Sequence, residues 1–212
     1  MNYVVAGVLL PLPVAGEAAL ELCNTFAGWG EEGGREYLVS YRHLVVWARE
    51  RGLVDDRVAA ELVAEGQSQP REAERVLERA KRLRWAFYAV AAGEPGDEHR
   101  AVVAREAERA SARARLAWGA EAATWVLPAT PELPLLAAAR AIAAFVTDPL
   151  PVGRCPGRGC GWLFANPSGR RRWCSMAVCG NRTKARRHAE RVAAQEHTEP
   201  RRAGSGGERR SR

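Results

Sequence analysis

Cys155-Pro156-Gly157-Arg158-Gly159-Cys160 and, thirteen residues on, Cys174-Ser175-Met176-Ala177-Val178-Cys179 decide how the C-terminal third of this chain is built. Two C-x4-C pairs on two short loops supply four soft ligands, the number that closes a tetrahedral site. Four thiolates suit zinc, and a closed site holds no water to activate. One structural Zn2+ is therefore expected on Cys155, Cys160, Cys174 and Cys179, and function is to be sought in what the metal module presents.

The sequence around the cysteines fits that role. Glycines 157, 159 and 161 let the backbone pass close to a metal and turn its N–H groups toward sulfur. Trp162-Leu163-Phe164 reads as a short strand with a minimal apolar cluster. Arg170-Arg171-Arg172-Trp173 leads back to Cys174 as its expected partner strand. A helix opens near Asn181, which is expected to cap it. At 100° per residue, Ala185, Ala189, Val192 and Ala193 share one arc, expected to dock on the zinc core. Lys184, Arg187 and Arg191 share another, roughly opposite, with Arg182 and Arg186 beside them.

Working outward, charge divides the chain. Residues 151–212 carry 15 arginines and lysines against 4 glutamates, a net +11, whereas residues 1–150 sum to −4. A basic segment of this kind points to a polyanion. The phosphate-binding set read from the pattern is Arg170, Arg171, Arg172, Arg182, Lys184, Arg186, Arg187 and Arg191, with duplex DNA as partner. The competing readings are a zinc-stapled structural appendage with a solvated basic face and a zinc-stapled protein-interaction module without nucleic-acid binding.

The first 150 residues read as mainly helical. Val4-Val5 and Val8-Leu9-Leu10 flank a turn at Ala6-Gly7 and predict a hairpin. Ser40 and Asp55 are N-cap candidates, Gly52 ends the first of their two helices, and Gly66 to Pro70 is a polar break. Arg71 to Ala92 carries Val76, Ala80, Leu83, Phe87 and Val90 at helical spacing. Residues 98–118 and Leu133 to Val146 predict two further helices, the second central to the core. The fold class expected is mainly α with a short N-terminal β element (α+β), followed by a small treble-clef-like zinc module of β-hairpin plus helix. The expected organisation is residues 1–150 as a sensing or oligomerising helical domain, 151–196 as the zinc finger and 197–212 as a disordered basic tail.

Several classes are disfavoured. No apolar run reaches the ~20 residues that span a bilayer, so no membrane partner is expected. Val4 to Val14 lacks a cationic leader and is broken by Pro11 and Pro13, so a secretory signal is not expected. Five cysteines, four in one cluster, point to a reducing cytoplasm, with nucleoid association if DNA is bound. P-loop, dinucleotide, H-E-x-x-H and G-x-S-x-G patterns are missing, histidines 43, 99, 188 and 197 are scattered, and no enzyme is expected. Cys23 reads as a small core residue.

At Cys179-Gly180-Asn181-Arg182 the match becomes familial. The chain resembles the bacterial CGNR zinc-finger proteins over about 155–192, supported by Gly161-Trp162-Leu163-Phe164, Ser168, Arg172-Trp173-Cys174 and Lys184. Leu20-Glu21-Leu22-Cys23-Asn24-Thr25 is similar to a Leu-Asp-x-x-Asn-Thr element of the ABATE domain that accompanies this finger. The resemblance implies a stress-induced transcription regulator whose finger contacts DNA. Two positions depart from the pattern: Asn166 stands where aspartate is common, and Glu21 where aspartate is usual. Glu21, Asn24 and Thr25 are polar residues in an apolar run. They either face a small-molecule effector or form a cap or turn that fixes the first helix. A homodimer is a further candidate partner.

Overall fold

The computed structural model describes residues 2–31 and 33–198, with side chains to residue 195. Residues 199–212 of the expected basic tail lie outside the described residues. The chain is mainly α-helical, with a short β element at its start and a cysteine-bearing hairpin and helix at its end.

The N-terminal hairpin forms as its turn residues predict. Strands β1 (Asn2–Val5) and β2 (Val8–Pro11) pair antiparallel, and Ala6 and Gly7 both take positive φ (47° and 72°). Two consecutive left-handed residues match the twist of the flanking strands. Helix α1 (Ala18–Cys23) follows, with Ala19 to Cys23 all buried. A two-residue pairing of β3 (Phe26–Ala27) with β4 (Arg35–Glu36) closes the glycine-rich loop.

Helix α2 (Tyr41–Glu50) starts after Ser40, whose hydroxyl meets His43 Nδ1 at 2.8 Å instead of a backbone N–H. Helix α3 (Asp56–Ser68) is capped by Asp55, which accepts from the Val58 amide at 2.9 Å. Helix α4 (Pro70–Ala91) places proline where its missing N–H is no loss. The predicted break at 66–70 narrows to Gln69. Gly66 lies inside α3 because it meets the Tyr41 ring, and a Cβ there would sit 2.5 Å from a ring carbon.

Helix α5 (Asp97–Arg113) stops five residues short of the expected end. Its buried stripe, Val103, Glu106 and Ala110, runs out at that point, and Ala114 is extended. The aromatic and β-branched residues beyond form the antiparallel strands β5 (Arg115–Trp118) and β6 (Ala123–Val126). Helix α6 (Leu133–Thr147) buries Leu135, Leu136, Ile142 and Phe145 at the centre of the molecule. An ion network ties the long helices together. Arg79 of α4 donates to Glu106 of α5 at 2.8 Å and also pairs with Glu132, just before α6.

Packing is continuous past residue 150. Strand β7 (Val152–Arg154) pairs antiparallel with β8 (Leu163–Ala165), and Trp162, Leu163 and Phe164 join the same buried cluster as α1, α4 and α6. The expected partner strand, 170–173, does not pair with β8. Its backbone is engaged by Asn166, whose Oδ1 accepts from Arg171 N and whose Nδ2 donates to Arg171 O, both at 3.0 Å. An amide supplies both bonds where an ionised aspartate could only accept, which accounts for asparagine at this position.

A wide helical turn at Met176–Gly180 runs into α7 (Asn181–Thr198). Asn181 is therefore already helical (φ −66°, ψ −41°), and its amide donates to Ala177 O instead of capping. The expected docking of Ala185, Ala189, Val192 and Ala193 on the zinc core does not occur. All four are exposed, and Thr183 is the one buried residue among 181–195. Helix α7 projects from the body, held at its first turn.

Gly66→Ala is expected to destabilise the chain by about 1–3 kcal/mol through overpacking against Tyr41, despite alanine's better helix propensity. Chemical denaturation checks this, and a gain in stability would contradict the packing described.

Candidate metal centre and its basic helix

Cysteines 155 and 160 bracket the loop at the tip of the β7–β8 hairpin. Cys155 N donates to Trp162 O at 2.8 Å and Cys160 N to Gly157 O at 3.0 Å, so the loop folds back with both side chains on one side. Cys174 follows the Asn166 turn, and Cys179 sits in the wide turn that leads into α7. The four Sγ atoms lie within 4.8 Å of one another, and all four residues are buried.

The distances fit one tetrahedral zinc. A Zn–S bond of about 2.3 Å places neighbouring sulfurs about 3.8 Å apart. Cys160 to Cys174 and Cys174 to Cys179 are each 3.6 Å. A Cβ on Gly157 would lie 3.2 Å from Cys179 Sγ, so glycine keeps that side of the cradle open. Without a cation, four clustered thiols cannot all ionise. Hydrogen bonding to Cys155 first, with burial adding to it, pushes the Cys160 and Cys174 thiols up, and Cys155 is held well down by accepting from Cys160, Cys174 and Cys179. A divalent cation bound by the four sulfurs would take the place of the retained protons. Arg182 Nη2 lies 3.7 Å from Cys179 Sγ and donates to Arg158 O at 2.9 Å. Its charge offsets part of the formal −2 of a four-thiolate zinc. When bound, the metal supplies structure by cross-linking the two loops.

The knuckle is also gripped from outside. Gly28 N donates to Cys160 O at 3.1 Å, and Glu31 Oε1 accepts from Gly159 N at 2.7 Å. Tyr88 of α4 donates to Gly161 O at 2.7 Å, and Trp162 Nε1 to Phe26 O at 2.8 Å. Trp29 stacks on Tyr88 with ring centroids 3.7 Å apart. Gly161 (φ 66°) passes so close to Trp29 that a Cβ would lie 2.7 Å away.

Glu21, Asn24 and Thr25 are buried and hydrogen-bonded to protein partners: Asn24 joins the grip directly, Glu21 through Ala15, and Thr25 bonds within the helical body. Asn24, fully buried, donates to Leu163 O and accepts from Leu163 N, each at 2.9 Å. Its amide thus acts as a one-residue strand against β8. Glu21 Oε1 accepts from Ala15 N at 2.6 Å, and Ala15 O in turn accepts from Ala165 N at 2.8 Å. Burial pushes the Glu21 carboxyl up. Thr25 donates to Leu22 O at 2.6 Å and accepts from buried Arg84 at 3.0 Å, which also pairs with Glu36 at 2.5 Å. Burial raises the Cys23 thiol, in keeping with a core residue.

The basic residues divide into two groups. Arg171 is structural: it donates to Trp173 O and Cys174 O, reaches Val14 O at 2.5 Å and lies over the Phe164 ring. Arg182 serves the metal loop, and Arg186 faces Glu190 at 3.5 Å. Arg170, Arg172, Lys184, Arg187 and Arg191 are exposed and form no ion pair with another described residue, although Arg172 lies over the Trp173 ring. The grip residues Trp29, Glu31 and Tyr88 were missed at sequence level. A tryptophan and an acid within a glycine-rich loop were the available signal.

Two family models cover most of the chain. One, ABATE, described as "Putative stress-induced transcription regulator", matches residues 16–149. The other, the CGNR zinc finger, matches residues 152–192. Among curated proteins none matches the sequence.

Cys174→Ser is expected to abolish stoichiometric zinc and, because the knuckle shares the body's core, to lower the stability of the whole chain by more than about 4 kcal/mol. Metal analysis and denaturation check this; retained zinc would break the ligand assignment. Asn24→Ala leaves two buried backbone groups unpaired and is expected to cost about 2–4 kcal/mol and to speed zinc loss to a chelator.

Proposed function

From the premise that this chain belongs to the ABATE family and carries a CGNR zinc finger at residues 152–192, we propose that it is a non-enzymatic transcription regulator that binds duplex DNA through α7. The observation that carries this is the helix itself. It is anchored at one end by the metal turn, is exposed from Arg187 through Gln195, and bears Lys184, Arg187 and Arg191 on one stripe. Eighteen residues span about 27 Å, and a bare helix is of a size that enters the ~12 Å major groove. Arg170 and Arg172 lie on the loop before Cys174 and add two phosphate contacts. These contacts give affinity and register, not sequence choice.

Sensing of a small ligand is assigned away from Glu21, Asn24 and Thr25. A groove of about 390 Å³ between the ends of α4 and α6 is lined by Phe87, Val90, Phe145, Val146 and Leu150 and borders Val152 of β7. An apolar effector there would press on the finger's own hairpin.

The exposed arc of Ala185, Ala189 and Val192 favours the competing reading, in which α7 docks on a protein. Salt separates the two. Five phosphate contacts predict a slope of log K against log salt of about −4.5, and Arg187→Ala with Arg191→Ala is expected to reduce it by about 1.8 on every duplex sequence. Fluorescence titration over a salt series reads both. Absence of binding at low salt would remove the DNA reading, and an unchanged slope would clear α7.

A further inference from the structure

The β5–β6 hairpin stands apart from the rest of the fold in what it exposes. Trp118 is 83% exposed, Trp125 56%, Leu116 48% and Val126 47%. The register pairs Leu116 with Trp125 and Trp118 with Ala123. Residues opposite each other share a face, so Leu116, Trp118 and Trp125 form one apolar surface. Among the described residues no other strand pairs with either edge of this two-stranded sheet. Natural proteins blunt such edges with charge, proline or a bulge. Strand β5 reads Arg-Leu-Ala-Trp, with its one charge at the end and no proline.

We propose that this hairpin is the contact of a two-fold dimer of the chain, made by antiparallel pairing of β5 with β5 of a second copy. A two-fold axis perpendicular to the sheet keeps the apolar face continuous only if the register is centred on a residue. Centring on Ala117 sets Leu116 opposite Trp118 of the second copy, and the converse, with the smallest side chain of the strand at the axis. The six large apolar side chains of the two copies then share one surface. The same register brings the Glu121 tip of one hairpin toward the end of the other that carries Arg115, which forms no ion pair with another described residue, and Arg113, which holds Glu132 at 3.3 Å, so charge is complementary too. Centring on Thr124 of β6 would set Ala123 opposite Trp125 and leave Leu116 and Trp118 outside the contact. An isolated two-stranded ribbon is marginal in water, and a four-stranded sheet is not. This goes beyond the DNA reading and does not depend on it.

Sedimentation velocity of the full-length, zinc-loaded chain over a wide concentration range tests the proposal. A reversible dimer is expected. Trp118→Asp, at an exposed position that the monomer does not need, is expected to raise the dimer dissociation constant by about 30-fold or more, as loss of an aromatic anchor does. Ala117→Cys is expected to form a covalent dimer on mild oxidation, because facing residues in an antiparallel pair lie about 4.5–5.5 Å apart between Cα atoms, within disulfide reach. Thr124→Cys is expected not to cross-link, since the two β6 strands would lie about 14 Å apart. A monomer at all concentrations overturns the proposal. So does a dimer that Trp118→Asp leaves intact, or cross-linking through Thr124 instead of Ala117.

Discussion

Two loops must bring four sulfurs within 4.8 Å, and neither loop has the length or the apolar content to hold itself there. The metal supplies one constraint. The other is the grip on the Cys155–Cys160 knuckle by Gly28, Glu31 and Tyr88, together with the Asn24 amide on β8. Small zinc modules lack the core to fold alone. Here the apolar cluster that such a module needs is provided by Trp162, Leu163 and Phe164 set into the helical body. The Leu20–Thr25 element supplies part of this joint: Asn24 bonds β8 directly, and Glu21 holds Ala15, whose carbonyl accepts from Ala165.

This arrangement changes what a signal at the body could do. A finger on a loose linker could be reoriented at little cost. A finger sharing a core with α1 and α4 cannot swing without breaking buried hydrogen bonds, each worth about 1 kcal/mol net and more if left unpaired. Under the proposed function, an effector in the groove between α4 and α6 would therefore have to work by straining the shared core and not by swinging the finger alone.

How far the sequence was legible follows from the range of each interaction. The cysteine spacing was readable because metal geometry is local and severe. The Ala6-Gly7 turn and the Asp55 cap were readable because their partners lie within three residues. Asn24 was ambiguous because its partner is 139 residues away. The helical pattern from 98 overran Arg113 because alanine and arginine favour helix without requiring it, and the burial that sustains α5 ends at Ala110. The apolar arc of α7 showed that a face exists; periodicity does not say what covers it, and within the described residues nothing does.

The two exposed features, α7 and the β5–β6 hairpin, are joined by rigid material. The hairpin connects α5 to α6, α6 packs on α1, and α1 packs on β8 of the finger. A two-fold contact at β5 would therefore fix the separation and relative orientation of two α7 helices, with no flexible linker between them. Fixed recognition elements in a two-fold dimer demand half-sites at one spacing, in inverted repeat. Phosphate contacts carry no sequence information. In such an assembly much of the discrimination between DNA sites would come from spacing, which the helical body and not the finger determines.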